Sequence, residues 1–305
     1  MKKIIYITTF LIIAIILNAC AQTNNENEKI IYTSIYPIQY IVEQIGDESI
    51  TSESIYPPGV DAHSYEPSSR EITEIAKGKA FFYLGAGMEG FAETVADSLD
   101  NQEVNLIEIA TMDESLFYSG GHHQENDDHN YGDKDPHIWL DPIRMIQMGE
   151  IIRDELSAIF PEQKESFETN FRSFETNMTE LDNEFSKTLS SKENKKILVA
   201  HAAYGYWEKR YELEQIAISG LSTNDEPSQK ELTDIINMAK KHHLNYVIFE
   251  QTGTDKVSEI IRKQIDAKPS YIHNLESLTE EDIDNNDDYL SIMRKNLEVL
   301  DKVTN

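Results

Sequence analysis

Short apolar runs alternate with amphipathic stretches of helical period along most of this 305-residue chain. Residues 29–36 (KIIYTSIY) read as a buried strand. Pro37 then opens a helix in which Ile38, Ile41, Val42 and Ile45 share one face before Gly46 stops it. Residues 48–56 (ESITSESIY) alternate as a second strand, which Pro57, Pro58 and Gly59 end. A loop carrying His63 leads into a helix over 69–77, and 80–84, 91–99 and 104–109 read as strand, helix and strand. Four strands alternating with helices predict a parallel sheet with covered faces.

The texture changes at Pro142. Residues 143–160 and 161–189 carry no strand pattern, and Phe167, Phe171, Phe174, Met178, Leu181 and Phe185 recur every three or four positions with acidic residues between them. This predicts one helix of roughly 30 residues, about 45 Å long, which outspans a small lobe and can brace two. Its aromatic content argues against a dimerising coiled coil, and a monomer is expected. The plan of the first half then repeats, with strands over 196–200, 214–219, 246–250 and 270–275 and helices over 229–242, 255–265 and 288–303. The predicted fold is α/β: two lobes, each a four-stranded parallel sheet flanked by helices, joined by one long bracing helix. The lobes are set at 29–160 and 192–305, with the linker helix at 161–191.

The first residues limit where such a molecule works. Lys2 and Lys3 precede an apolar run over 4–17, about 14 residues and too short to span a bilayer, which closes on Leu17-Asn18-Ala19-Cys20. Residues 1–19 read as a signal peptide, Cys20 as a lipid-anchor site, and 20–28 as a tether, which predicts an extracytoplasmic protein held at the bacterial membrane. Cys20 is the only cysteine, so no disulfide forms within the chain. Stable anchoring would need more than one acyl chain on it. The net charge of −28 excludes nucleic acid as a partner, for there is no basic surface to neutralise phosphates. About 285 residues after the signal are enough for two cores of ordinary size.

Candidate chemistry centres on residues 118–142. The loop 118–135 crowds His122, His123 and His129 among Glu125, Asp127, Asp128, Asp133 and Asp135, a composition that collects cations rather than building a core. Immediately after it, DPHIWLDP (135–142) holds His137 between two Asp-Pro corners, with Ile138 and Trp139 able to fix the backbone by burial. In open parallel sheets the site lies beyond the carboxyl ends of the strands. His63, His137, His201 and Glu276 each follow a strand, two from each lobe, which points to a metal site in the interlobe cleft. Three imidazoles and a carboxylate suit tetrahedral zinc, whereas manganese favours more oxygen. Glu250, at the end of YVIFE, or a water can take the place of Glu276 as the fourth ligand, and Asp61, Glu66, Asp135 and Asp141 are candidates to orient the ligating rings. His242, His243 and His273 read as structural or surface residues.

DAHSYEPS (61–68), the His-rich loop, DPHIWLDP (135–142) and HAAYGYW (201–207) together resemble the zinc/manganese solute-binding proteins of bacterial ABC transporters. The chain is similar in particular to the zinc-receptor lipoproteins, some of which are described as laminin-binding adhesins, over essentially all of its length after the signal. The resemblance implies capture of a metal ion between two lobes and delivery to a membrane permease, with an extracellular matrix ligand as a further partner. It implies His63, His137 and His201 as ligands with Glu276 as the fourth. Manganese-type members carry a carboxylate near the place of His201, so zinc is the expected cargo and manganese the alternative.

Two enzyme readings compete. Gly85-Ala86-Gly87-Met88-Glu89-Gly90 matches a dinucleotide-binding fingerprint and Glu108 follows at a suitable distance, but the motif comes after the third strand rather than the first. A zinc hydrolase would need three His and an activated water. There is no H-E-x-x-H in the sequence, and a carboxylate closing the shell leaves no open position. The chain is therefore read as a receptor and not an enzyme.

Overall fold

The computed structural model describes residues 30–99, 102–118, 134–222, 227–251 and 256–304. The signal peptide, Cys20, the tether and the loop histidines His122, His123 and His129 lie outside the described residues. The first half runs β1 (Ile30–Thr33), α1 (Tyr36–Gly46), β2 (Thr51–Ser54), α2 (Ser69–Ile75), β3 (Ala80–Tyr83), α3 (Ala92–Leu99), β4 (Asn105–Glu108) and the single turn α4 (Ile109–Met112). Two long helices follow, α5 (Pro142–Ile159) and α6 (Lys164–Ser190). The second half runs β5 (Lys196–Val199), α7 (Gly205–Tyr211), β6 (Glu214–Ala217), α8 (Gln229–Lys241), β7 (Tyr246–Glu250), α9 (Lys256–Gln264), β8 (Lys268–Ile272), α10 (Glu280–Asn285) and α11 (Tyr289–Val303).

Each half builds one four-stranded sheet in which every pairing is parallel, in the orders β2-β1-β3-β4 and β6-β5-β7-β8. The halves therefore share one topology, and both sheets reverse strand order beside their first strand, where ligands of open α/β sheets gather. β8 begins two residues earlier than its sequence pattern predicts and takes in Pro269. This edge strand pairs only with β7, so the missing N–H costs no ladder bond. The short helices α7 and α10 were not predicted; α10 starts on a capping box between Thr279 and Asp282.

α6 is the brace that its periodicity predicts. Its apolar stripe from Phe167 to Leu189 is buried throughout. Each fully buried ring or aliphatic side chain stabilises the fold by roughly 1.5–3 kcal/mol. Near its start, Phe171 and Phe174 close on Gly149 of α5, where a Cβ would lie 2.8 Å from the Phe174 ring, so only glycine permits the crossing. Near its end, Phe185 packs on Trp207 and Tyr211 of the second half, with centroids 5.9 and 5.3 Å away.

The lobes do not keep separate cores. One continuous apolar cluster runs from the first sheet through α1, α5 and α6 to the inner face of the second sheet and α11. Only the outer face of the second sheet, under α8 and α9, forms a smaller cluster around Leu198, Val247 and Ile261. Buried tryptophans stitch the halves together: Trp139 Nε1 donates to the Asn274 carbonyl (2.7 Å), Trp207 Nε1 to the Leu140 carbonyl (2.6 Å), and Tyr289 Oη to the Trp139 carbonyl (2.6 Å). Among the described residues no helix is long and apolar enough to cross a membrane.

Candidate metal centre

Four segments that follow strands converge between the sheets. The loop after β2 turns at Gly59, whose φ of +76° suits a residue without Cβ, and Asp61 Oδ1 then accepts from the backbone N–H groups of His63 (2.9 Å) and Ser64 (3.2 Å). This side-chain turn presents His63. The strip after β4 holds His137 more tightly. Asp135 Oδ1 takes both the His137 backbone N–H (3.0 Å) and Nδ1 (2.8 Å), which puts the ring proton on Nδ1 and turns Nε2 to the cleft. His137 is fully buried, its ring 5.2 Å from that of Trp139. Asp141, four residues on, caps α5 through the Ile143 N–H and pairs with Arg210, so it fixes the strip rather than a ligating ring.

From the second half, His201 follows β5. Its Nδ1 contacts Glu250 Oε1 and its Nε2 the Leu221 carbonyl, both at 2.8 Å. Glu276 follows β8 beyond a strained turn, with Leu275 at φ +66°, held by Leu275 N–H donating to His273 Nδ1 (2.9 Å). His273 is anchored in turn by Asp282 (3.0 Å) and by Asn296, which binds its backbone at both ends. The Glu276 segment is tied to the first half by Tyr36 N–H to the Glu276 carbonyl (2.9 Å), Gly59 N–H to the Leu278 carbonyl (2.9 Å) and Ala62 N–H to Glu276 Oε2 (3.0 Å).

The structure brings His63, His137 and His201 together: one ligating nitrogen from each lies within 4.8 Å of the others. The Nε2 atoms of His63 and His137 are 3.3 Å apart. Nitrogens about 2.05 Å from a tetrahedral ion are separated by about 3.3 Å, so this pair already has the span of a zinc shell. Glu276 Oε1 lies 3.8 Å from His63 Nε2 and, though buried, accepts no hydrogen bond among the described residues. An orphaned carboxylate oxygen beside one of three clustered ring nitrogens suits a cation. Glu250, the rival for fourth ligand, has both oxygens engaged, by His201 and by Asn274 Nδ2 (3.1 Å).

Electrostatics follow burial. Desolvation and the neighbouring imidazoles lower the His63 pKa to about 3, and burial lowers that of His137. Burial also opposes charge on His201, but the Glu250 carboxylate outweighs it and pushes the pKa up to about 9. Burial and the charge of Glu250 push Glu276 up to about 8. Without a cation the cluster thus holds its protons on His201 and Glu276.

The glycine motif of residues 85–90 serves its own turn. Glu89 accepts from Leu84 N–H, Gly85 N–H (both 2.9 Å) and Ser34 Oγ (2.6 Å), so these donors are not free to cradle a phosphate. Sequence reasoning did not find Glu250 as the partner of His201, or Asn274 and His273 as supports of Glu276. Each depends on contacts between loops that no local pattern carries.

Two parallel α/β lobes with three histidines gathered between them define a two-lobed protein with a candidate metal site in its cleft. The chain belongs to the family described as zinc-uptake complex component A, periplasmic, which matches residues 31–303. It is similar to the zinc-binding lipoprotein AdcA of Streptococcus pneumoniae (strain ATCC BAA-255 / R6), 35% identical over 311 residues that cover 100% of this chain and 61% of the relative. The chain thus spans about 61% of the length of that relative. Among solved structures it resembles the Zn(II)-bound ZnuA-like domain of Streptococcus pneumoniae AdcA, with TM-score 0.74, 32% identity, and 91% of this chain and 99% of that one covered. It also resembles the laminin-binding protein Lbp of Streptococcus pyogenes, with TM-score 0.76, 26% identity, and 90% and 99% covered.

Proposed function

We propose that this chain is an extracytoplasmic receptor that captures Zn2+ between its lobes and delivers it to the permease of an ABC transporter. His63, His137, His201 and Glu276 are its ligands. The observation that carries this reading is the gathering of three imidazole nitrogens within 4.8 Å of one another, with the orphaned Oε1 of Glu276 3.8 Å from Nε2 of His63. A buried carboxylate and three nitrogens make a four-ligand shell, and such a closed shell suits carriage rather than hydrolysis. Membership of a zinc-uptake family supports the same cargo, and the nitrogen ligand from His201 favours zinc over manganese. The histidines 122, 123 and 129 act as an accessory collector, and Cys20 carries the lipid anchor. Residues 29–160 and 192–305 act as the two metal-gripping lobes, linked through 161–191, and the receptor works as a monomer. Likeness to a protein named laminin-binding favours an extracellular matrix ligand as a second activity.

Competition calorimetry tests the cargo. Metal-free protein titrated with zinc and manganese chlorides should bind one zinc ion per chain, and zinc should displace manganese. Preference for manganese, or no binding, would contradict the reading.

A further inference from the structure

We propose that Asn274 is a positioning residue of the cation site, its carboxamide setting His201 and Glu276 relative to one another so that Glu276, and not Glu250, meets the ion. The inference rests on the receptor reading above. Asn274 is buried, 4% exposed, and the two ends of its amide serve different ligands. Its Oδ1 accepts the backbone N–H of Glu276 (3.2 Å), and its Nδ2 donates to Glu250 Oε2 (3.1 Å). The other oxygen of Glu250 holds Nδ1 of His201 (2.8 Å). One amide group thus stands between the two ligands that the second half contributes. The Asn274 carbonyl accepts from Trp139 Nε1 (2.7 Å), two residues beyond His137, so the same residue also meets a ligand strip of the first half.

The two neighbours leave little choice of side chain. A backbone N–H asks for an acceptor and a carboxylate asks for a donor, which fixes the orientation of the amide; aspartate would lack the donor and leucine would lack both. The bond to Glu276 spans Leu275, whose φ of +66° is unfavourable for a residue with a Cβ and persists only where its surroundings enforce it. An asparagine side chain that bonds the backbone two residues on is such a constraint. Glu276 leaves this turn with Oε1 free of any hydrogen bond among the described residues. Glu250, by contrast, is held on both oxygens and stays the partner of His201. Removing the amide releases the turn that aims Glu276 and frees Glu250 Oε2 from its Asn274 donor, so the two carboxylates then compete for the ion.

Calorimetric titration with zinc chloride against a competing chelator compares the wild type with Asn274→Ala and Asn274→Ser, their folding checked by circular dichroism. Serine can still accept the Glu276 N–H but is too short to reach Glu250, so it separates the two ends of the amide. Zinc affinity should fall on the order of 10–100-fold in the alanine variant, as for other outer-sphere partners of metal ligands, and by less in the serine variant. Where Asn274→Ala does not fold, Asn274→Ser carries the comparison. Beside Glu276→Gln either substitution should cost clearly less than it does alone, because the ligand it places is already disabled. Cobalt(II) chloride in place of zinc gives a readout that lost stability does not move: the visible absorption of the loaded wild type reports the geometry of the shell, and it should change in the variants. Unchanged zinc affinity in the folded variants, an undiminished effect beside Glu276→Gln, or a cobalt spectrum identical to that of the wild type would each overturn the proposal. A wild type that binds no zinc would instead overturn the receptor reading, and the proposal with it.

Discussion

Oε1 of Glu276 faces Nε2 of His63 at 3.8 Å across the boundary between the two halves, without a hydrogen bond of its own among the described residues. The other oxygen of the same carboxylate is held by the Ala62 N–H, from the loop that carries His63. The first half therefore aims the carboxylate of the second. Glu276→Gln keeps the shape and an acceptor for Ala62, but removes the charge that a cation would meet. Zinc affinity should drop by more than the roughly 10–100-fold typical of outer-sphere losses, with the metal-free fold retained. Calorimetry with circular dichroism checks both.

The proton inventory sets a pH dependence. His201 is raised to about 9 and Glu276 to about 8, and both must be deprotonated to ligate. Zinc affinity should keep climbing as pH rises toward 9, instead of levelling off above the ordinary imidazole range. About two protons should leave per ion bound at neutral pH. Both shifts are upward. Their contribution to metal-free stability is therefore complete below the ordinary values of 4.5 and 6.5, and is lost as pH rises through about 8 and 9. Calorimetry in two buffers of different ionisation enthalpy counts the protons; none released would contradict the assignment.

The three histidines should not be equivalent on removal. His63 sits on a turn and its Nε2 meets only His137 and Glu276 among the described residues, so His63→Ala should weaken zinc binding by orders of magnitude and leave the metal-free melting temperature nearly unchanged. His137 is fully buried and is the ring partner of buried Asp135. His137→Ala leaves that oxygen only the backbone N–H of residue 137 and opens a buried space, and should lower metal-free stability by about 1–3 kcal/mol in addition to abolishing tight binding. Parallel calorimetric and denaturant titrations separate the two effects.

Because Trp139, Trp207 and Tyr289 join the halves through buried hydrogen bonds within one continuous core, the lobes should unfold together. Scanning calorimetry of the metal-free protein should give a single transition with matching calorimetric and van't Hoff enthalpies. Two resolved transitions would mean that the lobes are separate cooperative units.

Much of this architecture was legible in the chain. The apolar runs around Ile31, Phe81, Val199 and Ile248 marked strands because a parallel sheet covered on both faces needs nearly continuous hydrophobicity. Position after a strand pointed to His63, His137 and His201, which the topology delivers to one side, but left Glu276 and Glu250 both open, and the choice of Glu276 came from the family resemblance. Residues recruited by tertiary contact were not legible. Nothing local to Glu250 tells that it faces His201. The shared core was hidden for the same reason: a buried tryptophan reads alike whether it serves one lobe or seals two.

A crystal grown with zinc, and diffraction data collected on either side of the zinc absorption edge, measure the central claim most directly. The account predicts one strong anomalous peak bonded to Nε2 of His63, His137 and His201 and to the Glu276 carboxylate. A peak elsewhere, or zinc held there without Glu276 and with water in its place, would contradict it.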